Sequence, residues 1–379
     1  MKIAIIRQRY VPYGGAETFA SDYIRHIADA GHEVHIFASQ WAPDDRPDIH
    51  FHKVPAVRLN ALTRLLSFAL AAKRLLRRES FDIIQSHERT LCQDIYRAGD
   101  GCHKEWLERR KTFLSPARRL SIALNPFHRA VLAIEKFIFT PGHYKKIIAI
   151  SEMVKRDIQK HYAVPGRDIA VIYNGVALEK FHPQNKALHR QSIRRRLGIP
   201  DDAFLLLTVG SGFERKGLKF LLRALAHLRS GAWRLLVIGK GNWGRYRAFA
   251  AAPLRHKLIH LPQAGDIEKY YAAADAFVLP SIYEPFGNVH LEALATGLPV
   301  VAGKYSGAAE LIAHKQNGMV LQNPGDPEEI AAHINFLFDP GVRQEMGRQA
   351  RQLAEKFPRE NNTRDMLALY DDLVKKSFA

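Results

Sequence analysis

Residues 275–303 read Asp-Ala-Phe-Val-Leu-Pro-Ser-Ile-Tyr-Glu-Pro-Phe-Gly-Asn-Val-His-Leu-Glu-Ala-Leu-Ala-Thr-Gly-Leu-Pro-Val-Val-Ala-Gly. The apolar run 276–279 predicts a short buried strand, and a helical spacing of apolar residues then extends from Gly287 to Gly297. Residues 299–302 predict the next buried strand. This strand–loop–helix–strand order is typical of a parallel α/β sheet, in which ligands bind at the carboxyl ends of the strands.

Two carboxylates stand out in this stretch, Glu284 in the loop and Glu292 inside the predicted helix. They are too far apart in sequence to form a close dyad, and they suit two separate anchors along an elongated ligand. The amides of Phe286, Gly287 and Asn288 lie between them at the start of the helix, where an anion is favoured. Without further context, a surface loop glutamate and a solvated helix glutamate would explain the same residues.

The sequence around Glu284 and Glu292 favours a role as ligand anchors over two solvated side chains. Glu-Pro-Phe-Gly at 284–287, Glu292, and Ala-Thr-Gly-Leu-Pro-Val-Val-Ala at 295–302 resemble the signature of glycosyltransferase family 4. That family consists of retaining, nucleotide-sugar-dependent enzymes with the GT-B fold. The resemblance implies that Glu284 hydrogen-bonds the donor hexose and that Glu292 binds the ribose hydroxyls.

The length of 379 residues suits two domains rather than one core. The resemblance implies an α/β protein of two Rossmann-like domains that face each other across a cleft, with a carboxyl-terminal helix that returns to the first domain. We place an acceptor domain at 1–170, completed by a helix at 359–379, and a nucleotide-sugar donor domain at 171–358.

The formal charge of +18 requires an anionic partner, which could be nucleic acid, anionic lipid or a phosphorylated substrate. Residues 53–78 contain seven Lys or Arg and no acid, and residues 103–146 contain ten against three acids. In 103–146 the cations alternate with apolar residues such as Trp106, which is typical of an interfacial amphipathic element. We therefore expect 103–146 to bind an anionic membrane surface, although core packing is the alternative role of its apolar residues. Nucleic acid is not expected, because the sequence shows no RNP, helix-turn-helix or zinc-finger pattern.

Four residues of the amino-terminal half are candidates for the site. Gly14 and Gly15 lie where the first loop meets the first helix, so the backbone could approach an anion there or simply turn. His87 follows a predicted strand, where it could contact a ligand or lie on the rim. Asp100 stands between two glycines, which is typical of a turn.

The resemblance gives these four residues possible roles. In the family, the glycine pair lies against the donor phosphates or the acceptor, and a histidine at the position of His87 approaches the donor. Residues 94–106 resemble the same segment of family members that glucosylate the lipopolysaccharide core. We therefore expect Asp100 to be the acceptor-side carboxylate, with an Asx-turn as the alternative.

Two glycine-rich turns of the carboxyl-terminal half contain further residues that we expect to bind the donor. Gly212, Arg215 and Lys216 follow the predicted strand 204–209 and precede a helix, a position that favours anions. Lys240 lies in the second such turn. A basic pair in a loop is often only solvated, but in the family these two cations hold the donor diphosphate.

The chain contains no Asp-x-Asp sequence to hold a metal ion on a diphosphate, so we expect neither a metal nor a cofactor. The charge of the leaving group would then be met by Arg215, Lys216 and helix amino ends. No two carboxylates are placed as nucleophile and acid, which gives the double displacement of glycosidases no support. The resemblance implies departure and attack on one face of the sugar.

Taken with these residues, the resemblance implies a retaining, metal-independent hexosyltransferase. The expected donor is a UDP-sugar, with glucose as the hexose, and the expected acceptor is a lipid-linked glycan of the lipopolysaccharide core. We expect a cytoplasmic protein held peripherally on the inner face of the cytoplasmic membrane. The alternatives are a basic nucleic-acid-binding protein, which steep salt dependence would reveal, and a GT-B nucleotide-sugar epimerase.

Overall fold

The computed structural model describes residues 1–10, 23–41, 46–229 and 231–377. The chain divides into two compact units. The first unit comprises Met1–Tyr173 and Glu360–Ala379, and the second comprises Asn174–Arg359. Each unit contains one large sheet of parallel strands with helices, which confirms the predicted α/β class. Among the described residues, no helix combines the length and apolar character needed to cross a bilayer.

The strands of the first unit are β1 (Lys2–Ile6), β2 (Arg9–Tyr10), β3 (Glu33–Ala38), β4 (Gln40–Trp41), β5 (Ile49–Lys53), β6 (Ile83–Ser86), β7 (Ile95–Ala98), β8 (Lys146–Ala149) and β9 (Ile169–Val171). Its helices include α1 (Ala61–Leu76), α2 (His103–Lys111), α3 (Pro116–Leu124), α4 (Pro126–Ile138) and α5 (Glu152–Tyr162). Residues 23–29 are also helical, and Gly166–Asp168 form a 3-10 turn.

The strands of the second unit are β10 (Phe204–Val209), β11 (Trp233–Ile238), β12 (Leu258–Leu261), β13 (Ala276–Leu279), β14 (Val300–Gly303) and β15 (Met319–Leu321). Its helices are α6 (Asn185–Arg196), α7 (Leu218–Ala224), α8 (Trp243–Arg247), α9 (Ile267–Ala273), α10 (Asn288–Ala295), α11 (Pro327–Phe336) and α12 (Pro340–Ala354). Three 3-10 segments span Leu225–His227, Ala252–Lys257 and Gly307–Leu311. The last helix of the chain is α13 (Arg359–Ser377).

Both large sheets reverse their strand order in the middle. The first runs β5-β3-β1-β6-β7-β8-β9 and the second runs β12-β11-β10-β13-β14-β15, with β2 and β4 paired separately. Helices cover such sheets on both faces, so their central strands are largely apolar, and Leu205, Leu206 and Leu207 of β10 are fully buried. Ligands bind such sheets beyond the carboxyl ends of the strands, where the order reverses. Ligand sites are therefore expected beyond the carboxyl ends of the strand pairs β1/β6 and β10/β13.

The carboxyl-terminal helix α13 belongs to the core of the first unit, as predicted. Met366 and Tyr370 are fully buried against residues of β1 and β3. The Tyr370 hydroxyl donates to Gln85 Oε1 over 2.8 Å.

The chain enters and leaves the second unit at neighbouring positions. The Val176 amide donates to the Phe357 carbonyl over 3.0 Å, and Val176 pairs with Pro358 in a parallel bridge.

Candidate functional site

The loops that follow β10 and β13 touch each other at the strand reversal of the second unit. The Ile282 amide donates to the Arg215 carbonyl over 3.0 Å. Gly217 has a φ of +70°, and a Cβ there would lie 1.9 Å from the Pro280 carbonyl oxygen. Only glycine fits this contact, so the backbone holds the two loops together at the edge of the sheet where ligands gather.

Three of the predicted donor residues meet in these loops. The Lys216 ammonium donates to the Glu284 carboxylate, and both residues are buried, with 8% and 6% of their surface exposed. Arg215 Nη2 lies 3.9 Å from the same carboxylate oxygen. Burial alone would raise the pKa of Glu284, but Arg215 and Lys216 outweigh it and hold the pKa at about 2. Burial lowers the pKa of Lys216, against the opposing effect of Glu284.

The backbone around Glu284 is fixed by the segment after β14. The Glu284 amide donates to the Tyr305 carbonyl over 2.8 Å, and the Gly307 amide donates to the Glu284 carbonyl over 2.9 Å. The Ser306 hydroxyl donates to the Phe286 carbonyl over 2.9 Å. Polar groups buried in this way keep the carboxylate at one position, which suits it to anchor a ligand.

The start of α10 packs tightly on this loop. Gly287 has a φ of +87°, and a Cβ there would lie 2.6 Å from His290 Nδ1 and 2.9 Å from Glu284 Cγ. His290 is fully buried, and its Nδ1 donates to the Gly287 carbonyl over 2.9 Å. Burial lowers the pKa of His290 to about 4, so the ring is neutral near pH 7. Asn288 Oδ1 accepts a hydrogen bond from Asn174 Nδ2 over 2.7 Å.

Glu292, the second glutamate of the frame, has a partner that sequence reasoning missed. The Tyr271 hydroxyl, from α9, donates to Glu292 Oε2 over 2.8 Å. Burial raises the pKa of Glu292, and the Tyr271 hydrogen bond opposes this effect. One carboxylate oxygen is thus held by the protein.

Gly212 and Lys240 lie at the same edge of the sheet. Gly212 is in the loop of Lys216, whose amide donates to the Gly212 carbonyl over 3.2 Å. The Lys240 amide donates to the Ser211 hydroxyl over 3.0 Å, and Lys240 is exposed. The structure therefore brings the loops of β10 and β11 together, with cations from both.

His87 and Asp100 lie in loops of the first unit, while Gly14 and Gly15 lie outside the described residues. The His87 amide continues β6 by donating to the Ile6 carbonyl over 3.0 Å. Its Nε2 lies 2.7 Å from Gln85 Nε2, and burial holds its pKa well below the ordinary value. Asp100 is exposed on a turn, with Arg89 Nη1 3.4 Å from its carboxylate.

Arg89 anchors this region through a buried carboxylate that the sequence analysis did not single out. Glu135 of α4 is fully buried and accepts from Arg89 Nη2 over 2.9 Å. It also accepts from the His103 amide and from the Tyr162 hydroxyl, each over 2.8 Å. One carboxylate thus ties the loop after β6 to α2 and α5, and it orients the arginine that faces Asp100.

Sequence reasoning also missed Glu88. It lies at the strand reversal of the first unit, where Glu88 Oε1 accepts the Gln8 amide over 2.9 Å. Burial, assisted by the charge of Asp100, raises its pKa to about 7. Its place directly after His87, at the end of a predicted strand, was the signal available in the sequence.

The basic segment 103–146 divides into a buried and an exposed side. Leu107, Ile122 and Val131 are buried, as core packing requires. Leu120 and Leu124 of α3, in contrast, are 60% and 65% exposed. They share the helix with the exposed Arg118 and Arg119, and we call these four residues the α3 face.

Family comparisons match both units. The model described as Glycosyltransferase Family 4 matches residues 13–180, and the model described as Glycosyl transferases group 1 matches residues 189–353. The chain belongs to the GT-B glycosyltransferases. The first match includes His87 and Asp100, and the second covers the Lys216–Glu284 loops.

Individual relatives agree with this assignment. The chain is 26% identical to the lipopolysaccharide glucosyltransferase WaaG of Escherichia coli over 87% of each chain. It is 27% identical to an uncharacterized glycosyltransferase of Methanocaldococcus jannaschii over 98% of each. A crystal structure of WaaG superimposes with a TM-score of 0.85 at 24% identity, covering 97% of this chain and 99% of that one. Anabaena HepE, solved in complex with UDP-glucose, has a TM-score of 0.73 at 19% identity over 98% of this chain and 100% of that one.

Proposed function

We propose that this glycosyltransferase transfers a hexose, with glucose first among the candidates, from a UDP-sugar to a lipid-linked glycan with retention of configuration. The observation that carries the proposal is the cluster of Arg215, Lys216 and Glu284 at the strand reversal of the second unit. An ionised carboxylate beside two cations offers acceptors for sugar hydroxyls and donors for phosphate oxygens in one place.

Each charged group of the cluster has a proposed task. Arg215 and Lys216 would hold the diphosphate, with Gly212 and Lys240 in the adjoining loops. Glu284 would accept hydrogen bonds from the hexose, and its low pKa keeps it ionised. Glu292, oriented by Tyr271, would accept the ribose hydroxyls. The backbone of Phe286, Gly287 and Asn288 would line the space between the two glutamates.

The proposed reaction needs the cations more than a proton donor. As the bond from the anomeric carbon to the phosphate oxygen breaks, negative charge grows on the leaving diphosphate. Arg215 and Lys216 would stabilise that charge in a site already ordered for it, without a metal ion. An acceptor hydroxyl would attack the anomeric carbon on the face from which the diphosphate departs, and its proton would pass to the departing phosphate oxygen.

The proposed acceptor side is the loop region after β6 and β7 in the first unit. Asp100 is exposed there and is oriented by Arg89, and His87 and Glu88 lie at the neighbouring strand end. The lipopolysaccharide core is the first candidate acceptor, because the relative WaaG is named a lipopolysaccharide glucosyltransferase.

We propose further that the α3 face docks on an anionic membrane, where a lipid-linked acceptor would lie. Its two arginines would contribute about 1 kcal/mol each against anionic headgroups. Leu120 and Leu124 would insert shallowly, as apolar residues of interfacial helices do. On this proposal the protein is held peripherally on the inner face of the cytoplasmic membrane.

Thermal unfolding with a panel of UDP-, ADP- and GDP-sugars tests the donor, followed by product analysis with a lipopolysaccharide-core acceptor. A bound donor at about 100 times its Kd stabilises the fold by roughly 2.7 kcal/mol. We expect UDP-glucose to raise Tm most, and anomeric proton couplings of the product to show retention. Conversion of the sugar without an acceptor would instead indicate an epimerase, and an inverted product would contradict the proposal.

Co-sedimentation with vesicles tests the α3 face. Binding should increase with the anionic lipid fraction, weaken in high salt, and fall in a variant that carries Arg118→Gln, Arg119→Gln, Leu120→Ser and Leu124→Ser. The matched control is Arg167→Gln with Arg195→Gln, two exposed cations outside this face. Equal binding of neutral and anionic vesicles, or unchanged binding of the α3 variant, would contradict the proposed docking.

A further inference from the structure

Three histidines and a glutamate share one face of the first sheet at its edge. Glu33 and His35 lie two apart on β3, and His50 and His52 lie two apart on β5. The strands pair in register with His35 opposite His50. Since side chains alternate between faces along a strand, all four are on the same face. Glu33 and His50 are near the amino ends of their strands, whereas the proposed reaction uses the carboxyl ends.

Three of these side chains are spaced as metal ligands. His35 Nε2 lies 2.7 Å from Glu33 Oε1, and His50 Nε2 lies 3.7 Å from the same oxygen. The three ligand atoms all lie within 4.8 Å of one another. With bonds of about 2.1 Å, two ligands of a tetrahedral zinc ion are roughly 3.4 Å apart. Small side-chain rotations would therefore place one ion among the three.

His52 contacts the His35 ring at the nitrogen that does not face Glu33. His35 Nδ1 lies 2.7 Å from His52 Nε2, on the side of the ring away from Glu33. A metal-bound imidazole usually donates its second N–H to an acceptor that fixes its tautomer and orientation. The His52 ring stacks on Phe37, with 4.4 Å between the ring centroids and 7° between the ring planes, and this packing holds it beside His35.

We propose that Glu33, His35 and His50 form a binding site for a divalent transition metal of the zinc class, with His52 as the group that orients His35. Two imidazoles and one carboxylate are ligands that such ions prefer, and a fourth position is left for water because Glu33 and His50 are exposed. The ion would join the edge strand β5 to β3, so its role is to stabilise the sheet. This site is independent of the proposed transferase reaction.

A second group of the described residues, Glu105, Glu108 and His161, has similar spacing but different surroundings. Arg109 Nε and Lys160 Nζ lie 2.7 and 2.8 Å from the two oxygens of Glu105. These cations already neutralise the carboxylate and would repel an ion. The β3–β5 cluster is therefore the stronger ligand set.

The test uses the full chain without a histidine tag, stripped with EDTA and then dialysed. Zinc is titrated against a chromophoric chelator, and Co²⁺ is added separately to record its visible absorption bands. We expect one zinc ion per chain, cobalt bands typical of low coordination number, and a rise in Tm of about 5 °C or more at saturating zinc. Mg²⁺, which prefers oxygen ligands, should give no such rise.

The variants assign the ion to the site. Glu33→Gln and His50→Gln should each weaken zinc binding at least tenfold, and His52→Ala should weaken it roughly 10- to 100-fold through His35. The matched control is His128→Gln. His128 Nδ1 also lies close to another histidine, 3.0 Å from His103 Nε2. It belongs to neither of the two groups of possible metal ligands among the described residues.

Circular dichroism and the Tm of the metal-free proteins show whether each variant folds as the parent does. The proposal is overturned if the parent chain takes up no zinc. It is also overturned if a folded Glu33→Gln/His50→Gln double variant binds zinc as the parent does.

Discussion

The Lys216 ammonium and the Glu284 carboxylate are 68 residues apart in the chain and are hydrogen-bonded to each other in a buried contact. Arg215 adds a second cation at 3.9 Å. The pair joins the loops after β10 and β13, so it contributes to the fold of the second unit as well as to the proposed donor site.

We therefore predict that Lys216→Met and Glu284→Gln each destabilise the second unit by about 3–5 kcal/mol, because each leaves a buried charge without its partner. The double variant should lose clearly less than the sum of the two, because neither uncompensated charge remains. Urea unfolding of the three variants measures this coupling. Additive losses would show that the two groups do not depend on each other.

Transfer should not require a metal ion. Because Arg215 and Lys216 would neutralise the diphosphate, turnover should persist in excess EDTA and metal-stripped buffer. The assay should run well below the Tm of the metal-free protein, so that loss of an ion from the β3–β5 cluster does not unfold it. Abolition by EDTA with rescue by Mg²⁺ or Mn²⁺ would contradict the prediction.

Glu292 and Tyr271 should affect donor binding more than the chemical step. Ribose contacts are made equally before and during the reaction, so Glu292→Gln should raise the donor KM with a smaller change in kcat. Tyr271→Phe removes the hydroxyl that orients the Glu292 carboxylate and that also lies 3.3 Å from the Val289 carbonyl, and its effect should be in the same direction and smaller. Steady-state kinetics with varied donor gives both numbers. A fall in kcat at unchanged KM would place Glu292 at the reacting centre instead.

Glu88 should make stability depend on pH in a direction unusual for a carboxylate. Its pKa is raised from the ordinary 4.5 to about 7, so the folded state binds more protons than the unfolded state between these values. The stability that protonated Glu88 gives the folded state is complete below about pH 4.5 and is lost as the pH rises through 7. The free energy of unfolding of the parent chain, relative to that of Glu88→Gln, should fall between about pH 5 and 7 and stay constant at higher pH. Urea unfolding at pH 5, 6, 7 and 8 checks this, and a constant difference between the two proteins would contradict the raised pKa.

Arg194 should be among the most sensitive positions of the second unit. It is 1% exposed, and its guanidinium donates to Asp275 Oδ2 over 2.6 Å and to the carbonyls of Ala203 and Ala273. Arg194→Met should cost about 3–5 kcal/mol, because Asp275 and the buried carbonyls lose donors. Arg195→Gln, at the exposed next position, should stay within about 0.5 kcal/mol. Similar values for the two variants would show that the buried network is not required.

The fold was largely predictable because its signals are local. The apolar run 276–279, the helical spacing after Gly287 and the glycine that ends the helix depend on neighbouring residues only. The same frame located Glu284 and Glu292. The paired strands and the return of α13 followed from the family resemblance rather than from periodicity.

Contacts between distant segments could not be predicted in this way. Nothing in the local pattern indicates that Tyr271 reaches Glu292, or that His35 lies opposite His50, because strand register and helix rotation are set by packing. Burial is likewise absent from the sequence, so the raised pKa of Glu88 was missed. The roles expected for Asp100 and His87 stay predictions.

The neighbouring entry and exit of the second unit have an evolutionary consequence. Because Val176 is hydrogen-bonded to Phe357, residues 174–359 form an insertion whose two ends lie side by side. Such an insertion can be replaced by another whose two ends lie equally close together. Helix α13 would still complete the core of the first unit. If the second unit binds the donor, as proposed, recombination of this single segment would change the nucleotide-sugar specificity of a lineage and leave the first unit intact.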